Sequence, residues 1–124
     1  MLTLEHASLS PPERCALERF VDLLRDDYDH SVRSVWLYGS RARGEPPLAD
    51  SDIDVLVITE AGSWWQDLER INRLLWTAAE EEGLQPFYFS AHVGDLDWLA
   101  RRREISSFYI QEVDRDKIVL SGHA

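Results

Sequence analysis

Apolar positions give the first reading of this chain. Leu17, Phe20, Val21, Leu24 and Tyr28 fall at helical spacing, with Glu18, Arg19, Asp22, Arg25 and Asp26 opposite. This pattern predicts a helix ending near Asp29. Ser10-Pro11-Pro12-Glu13 marks its start, with a serine cap, proline in the first turn and a glutamate three places after the serine. Residues 1–9 read as a loose end. Val32 to Tyr38 is rich in β-branched and aromatic residues and predicts a strand that Gly39 ends. Ser40 is expected to cap a short helical turn over Arg41–Gly44, and the two prolines in Glu45–Ser51 predict a loop. Ile53–Thr59 reads as a second strand. Trp64, Leu68, Ile71, Leu75 and Ala78 form a second helical stripe, opened by Ser63 with Gln66 in the capping-box place and closed by Gly83. A third strand is expected within Leu84–His92, centred on Phe87-Tyr88-Phe89. Asp95 is placed to cap a third helix carrying Leu96, Leu99 and Ala100. Ile105–Val113 reads as helical, and Lys117–Leu120 as a last short strand.

That order predicts an α+β fold with a small mixed or antiparallel sheet flanked by helices. The loop between the first two strands is too short for a parallel crossover, so they are expected to be antiparallel. Residues 1–124 are expected to form a single domain. An apolar share of 44% with five tryptophans is enough for a real core. The net charge of −10 argues against non-specific nucleic-acid binding, so no direct nucleic-acid partner is expected. A phosphate ligand would need local arginines or metal ions. The single cysteine, Cys15, excludes an internal disulfide and reads as inert packing in the first helix. The opening MLTLEHASLS lacks the basic and apolar regions of a signal peptide, and no apolar run approaches membrane-spanning length. A cytoplasmic protein without membrane attachment is expected.

Candidate chemistry centres on Asp52 and Asp54. At strand spacing these carboxylates project to one side, roughly 6–7 Å apart, with a mutual penalty on the order of 2–3 kcal/mol. Either solvent screens them or a cation sits between them, and Mg²⁺ suits one or two carboxylates plus phosphate oxygens. Gly39-Ser40 follows a strand directly. Glycine permits unusual backbone angles and close approach, Ser40 brings a hydroxyl, and Arg41 and Arg43 add charge that can reach phosphate oxygens.

The stretch Gly39-Ser40-Arg41-Ala42-Arg43-Gly44 followed by Ser51-Asp52-Ile53-Asp54 resembles the signature of the DNA polymerase beta-like nucleotidyltransferase superfamily. Within it, the chain looks most like the minimal nucleotidyltransferase (MNT) proteins, from the first helix to the closing RDKIVLSG. The resemblance implies a polymerase beta-like core that binds a nucleoside triphosphate, expected to be ATP, with Mg²⁺ and transfers a nucleotidyl group to a hydroxyl. It implies that Gly39, Ser40 and Arg43 bind the nucleotide, and that Asp52 and Asp54 are both the catalytic residues and the metal ligands. It further implies an antitoxin that adenylylates a tyrosine on a HEPN-type partner protein.

Two departures stand out. The eleven residues from Arg41 to Ser51 are one more than the family's usual spacing, and the extra one falls in a loop where length costs little. Catalytically competent members usually carry a third carboxylate on a later strand, and Gln85 to His92 contains no acid, offering only Ser90 and His92. This supports an alternative: a catalytically weak or inactive nucleotide-binding module that neutralises a partner by complex formation. A small-molecule nucleotidyltransferase is a third reading, which the short chain disfavours unless a homodimer forms the pocket. Among the remaining candidates, His92 reads as a solvated strand-end histidine more readily than as a base. Arg101-Arg102-Arg103 reads as a helix-end complement, Asp114 and Asp116 as a turn, and Trp64 or Trp65 as partly exposed.

Overall fold

The computed structural model describes residues 4–28, 31–46, 52–60 and 64–123, with the side chains of residues 64 and 65 outside that description. The main elements run α1 (Pro11–Tyr28), β1 (Val32–Tyr38), α2 (Ser40–Arg43), β2 (Ile53–Thr59), α3 (Trp64–Glu81), β3 (Phe89–Asp95), α4 (Leu96–Glu104), α5 (Phe108–Asp116) and β4 (Ile118–Gly122). The four strands form one mixed sheet in the order β3-β2-β1-β4. The β1–β2 and β1–β4 pairs are antiparallel and the β2–β3 pair is parallel. The α+β sheet and the antiparallel first pair are those expected from the sequence.

Sheet alternation divides the core in two. On one face Val35, Leu37, Ile53, Val55 and Val57 pack with Leu17, Phe20 and Leu24 of α1 and Ile71 and Leu75 of α3. On the other, Trp36, Leu56 and Ile58 pack with Leu99 of α4 and Ile110 and Val113 of α5. Both helical stripes read from the sequence thus face the sheet. Cys15 lies off the α1 stripe and is exposed, not packed as expected.

The cap of α1 is a reciprocal capping box. Ser10 N–H donates to Glu13 Oε1 at 2.8 Å, and Glu13 N–H donates to Ser10 Oγ at 3.3 Å. The expected Ser63 cap of α3 lies outside the described residues. The segment read as a loose end is tied down over the residues described: Leu4–His6 form a 3₁₀ turn and Ala7 is buried. Ser8 N–H donates to Arg41 O at 2.7 Å, and Arg41 Nη1 donates to Ser8 O at 2.9 Å.

The third strand differs most from expectation. Pro86–Tyr88 form a 3₁₀ turn with Phe87 exposed, and β3 begins only at Phe89. Proline pre-sets the turn dihedral, which outweighs the β-preference of the three aromatics. The strand instead runs through Gly94, where a Cβ would stand 2.2 Å from the Trp98 ring. Glycine is there to admit an indole. Along the outer margin of β3, Asn72 Nδ2 donates to Ala91 O and Asn72 Oδ1 accepts from Ala91 N–H, both at 2.9 Å. Trp76 Nε1 donates to Phe89 O at 2.9 Å.

As expected, Asp95 caps α4 by accepting from Trp98 N–H at 2.7 Å. The chain then breaks at Ser106 (φ 51°), and Ser107 caps α5 by accepting from Ile110 N–H. Asp114 and Asp116, expected in a turn, instead lie in the last turn of α5.

Candidate functional site

Gly39 joins β1 to α2 with φ 83° and ψ −164°, a region that is essentially glycine-only. It takes the N-cap place that the sequence assigned to Ser40, with no side-chain cap, and Ser40 is the first helical residue. A Cβ built on Gly39 would stand 3.5 Å from Asp54 Oδ2. The glycine bend and the second carboxylate are therefore immediate neighbours. The strand register agrees, since Tyr38, the residue before the glycine, pairs with Asp54 across β1 and β2.

Asp52 is exposed just before β2, while Asp54 is half-buried within it. Burial, and then the charge of Asp52, push the Asp54 carboxyl above the usual carboxylate range, while His92 acts in the opposite sense. Two acids beside an open glycine make a hard oxygen-donor set suited to a divalent cation. Among the described residues no three His, Cys, Asp or Glu side chains converge on one metal position. The donor set thus fits an ion such as Mg²⁺ that draws its remaining ligands from water and phosphate oxygens.

The two arginines of the motif do not stand free in the site. Arg41 is buried, with Nη1 2.9 Å from Glu13 Oε1, so it clamps α2 to the start of α1. Arg43 is partly exposed. Its Nη1 is 2.7 Å from Asp116 Oδ2 and its Nε is 3.0 Å from Glu45 Oε1. Of the two, only Arg43 keeps enough exposure to meet a ligand, and it does so from within an ion-pair network.

Across β2 from Asp54 stands Ser90, with His92 opposite Leu56. The corrected β3 boundary leaves Asp95 as its one acid, paired with Thr59 at the far end from Asp54. Neither Ser90 nor His92 is a carboxylate, so near Asp54 β3 offers a hydroxyl and an imidazole. Tyr109 of α5 reaches over this face, and its hydroxyl is 2.9 Å from that of Tyr38. Burial raises both phenols, and Asp54 adds to the shift on each. The sequence reading missed Tyr38, Tyr109 and Asp116. Tyr38 had a signal in standing directly before Gly39, whereas nothing local marks Tyr109 or Asp116.

A cleft of about 540 Å³ beside Arg25, Arg33, Glu60 and His123 shares no residue with this site. None of the described helices is long and apolar enough to cross a membrane.

A family model described as "Nucleotidyltransferase domain" matches residues 17–93, a span that holds Gly39, Ser40, Asp52, Asp54 and His92. No match was found among curated proteins. Several solved structures share the fold. One from Sulfolobus solfataricus, described as a nucleotidyltransferase, is 19% identical with a TM-score of 0.57, over 90% of this chain and 84% of that one. A tri-AMPylated Shewanella oneidensis HEPN toxin in complex with MNT antitoxin gives 19% identity and a TM-score of 0.54, over 89% and 72%. A toxin–antitoxin structure with AMP-PNP gives 21% and 0.56, over 86% and 73%.

Proposed function

The chain belongs to the nucleotidyltransferase domain family, and from that premise we propose that it is a single-domain, Mg²⁺-dependent nucleotidyltransferase of the MNT type. It would transfer a nucleotidyl group, AMP from ATP, to a hydroxyl on a HEPN-type partner protein as the antitoxin of a pair. The observation that carries this reading is the contact geometry of Gly39 with Asp54 Oδ2. The AMP-PNP and AMPylated-toxin relatives support the nucleotide and the partner.

In this reading Gly39 leaves room for a triphosphate at the β1–α2 bend, and the Ser40 hydroxyl donates to a β- or γ-phosphate oxygen. Arg43, fixed by Asp116, faces the same phosphates with its exposed edge. Asp52 and Asp54 would hold magnesium, which when bound neutralises the leaving pyrophosphate and lowers the pKa of the attacking hydroxyl. The chain's own work is positioning and charge placement. The half-buried Asp54 sits where desolvation strengthens its pull on any cation it meets. In this reading the acceptor hydroxyl belongs to the partner.

A second reading has one observation in its favour. β3 presents Ser90 opposite Asp54 and His92 opposite Leu56, with its one acid, Asp95, at the far end. That favours a binding module that takes up nucleotide and neutralises its partner by complex formation. Incubation of the co-purified complex with α-labelled ATP separates the two. Label on the partner that disappears in Asp52→Asn supports transfer, and a stable, unlabelled complex supports the binding module.

A further inference from the structure

Three rings close on one another beside Asp54. Tyr38 and Tyr109 have centroids 5.7 Å apart, Tyr38 and His92 6.2 Å, and His92 and Tyr109 6.2 Å. Trp98 backs Tyr109 at 6.3 Å. Tyr38, Tyr109 and Trp98 are anchored on the α4–α5 side of the core. His92 is outside that core and is exposed. Neither the fold nor the phosphate and cation chemistry above accounts for an exposed imidazole held on a triangle of rings.

The strand order says what lies beside it. The glycine bend is at the end of β1, Asp54 on β2 with Asp52 just before it, and Ser90 and His92 on β3. Asp54 pairs with Tyr38 on one side and Ser90 on the other, and His92 follows two residues further along β3, so the ring triangle borders the carboxylate directly and is within reach of a nucleoside attached to an α-phosphate held there. We propose that the Tyr38–His92–Tyr109 triangle is the shelf on which the nucleoside of the bound nucleotide stacks, with His92 as its exposed face. The inference rests on the nucleotide reading of the preceding section. It also assigns a selectivity. Stacking accepts any base, since every base has a π-face, and the phenol hydroxyls that would read base edges hydrogen-bond to each other. The site should therefore take all four nucleoside triphosphates, the larger purines best.

Calorimetric titration of the whole chain with Mg-ATP and with magnesium inorganic triphosphate tests this. ATP is expected to bind more tightly than triphosphate. His92→Ala is expected to weaken ATP by about tenfold, a typical loss for one stacked base, and to leave triphosphate unchanged. Because His92 is exposed, this variant should fold. Metal-free AMP should also perturb the His92 imidazole resonances. Equal affinities for ATP and triphosphate, or an unaltered ATP affinity in His92→Ala, would overturn the shelf while leaving the phosphate site intact. Failure of both ligands to bind the wild-type chain would remove the nucleotide reading itself.

Discussion

Arg43 Nη1 lies 2.7 Å from Asp116 Oδ2, joining the helical turn after the glycine bend to the last turn of α5. The carboxylate is almost fully buried and is also gripped by Arg115 Nε at 2.9 Å. Through this pair the α4–α5 layer fixes the position of a motif residue that is distant in the chain.

Asp116→Ala should therefore destabilise the fold by about 1–3 kcal/mol, since it leaves Arg43 without its shorter partner. Urea unfolding measures this. The hydrogen bond from Arg115, then that from Arg43, hold the Asp116 carboxyl below its ordinary range. A lowered folded-state pKa stabilises at pH values above the unfolded carboxyl pKa, about 4. That stability is lost as pH falls through the folded value, so the variant should show a weaker acid-side decline in stability than the parent.

Asp54 has the opposite sign. Its carboxyl is raised by burial and by Asp52, so its ionisation opposes folding increasingly as pH rises through the folded value. Asp54→Asn should stabilise the apo chain near neutral pH, on the order of 1 kcal/mol for relief of a like-charge contact. The same variant should lose magnesium-dependent nucleotide binding. Thermal melts with and without Mg-ATP read both effects, and a destabilised apo variant would contradict the electrostatic account.

Gly39→Ala forces a side chain into a glycine-only backbone region, at a cost of about 1–3 kcal/mol. Its new methyl would touch Asp54 Oδ2 without a clash. The expected outcome is a folded, less stable chain with impaired triphosphate binding, checked by circular dichroism and titration with inorganic triphosphate.

Glu13 and Arg41 form a buried pair, with side-chain exposures of 9% and 8%. Glu13→Ala removes both the pair and half of the capping box, and should cost about 3 kcal/mol or more, because a buried guanidinium is left uncompensated. Arg41→Met keeps the volume and should leave triphosphate affinity unchanged among folded molecules. A large affinity loss there would show that Arg41 reaches phosphate after all.

The sequence made legible whatever periodicity and paired motifs control. The α1 stripe, the Ser10–Glu13 box, both central strands and the Asp95 cap appear where the pattern put them. Gly39 and Asp54 were legible as neighbours because one ends a strand and the other begins the strand paired with it. The β3 boundary was not, because Gly94 looks like a breaker until Trp98 is seen to need its missing side chain. The roles of Arg41 and Arg43 were also hidden. An arginine two places from a glycine bend looks like a phosphate ligand, and only tertiary structure reveals Glu13 and Asp116 as their partners. Tyr109 reaches Tyr38 from far along the chain, and no local pattern encodes such a meeting.

Asn72 bears on how this sheet behaves toward other chains. Its carboxamide gives Ala91 the donor and the acceptor that a further strand would bring. An incoming strand would have to break both bonds before forming its own, so lateral growth past β3 is opposed from within the molecule. Recruitment of a neighbour by backbone pairing is thereby steered toward the β4 side, the other end of the strand order.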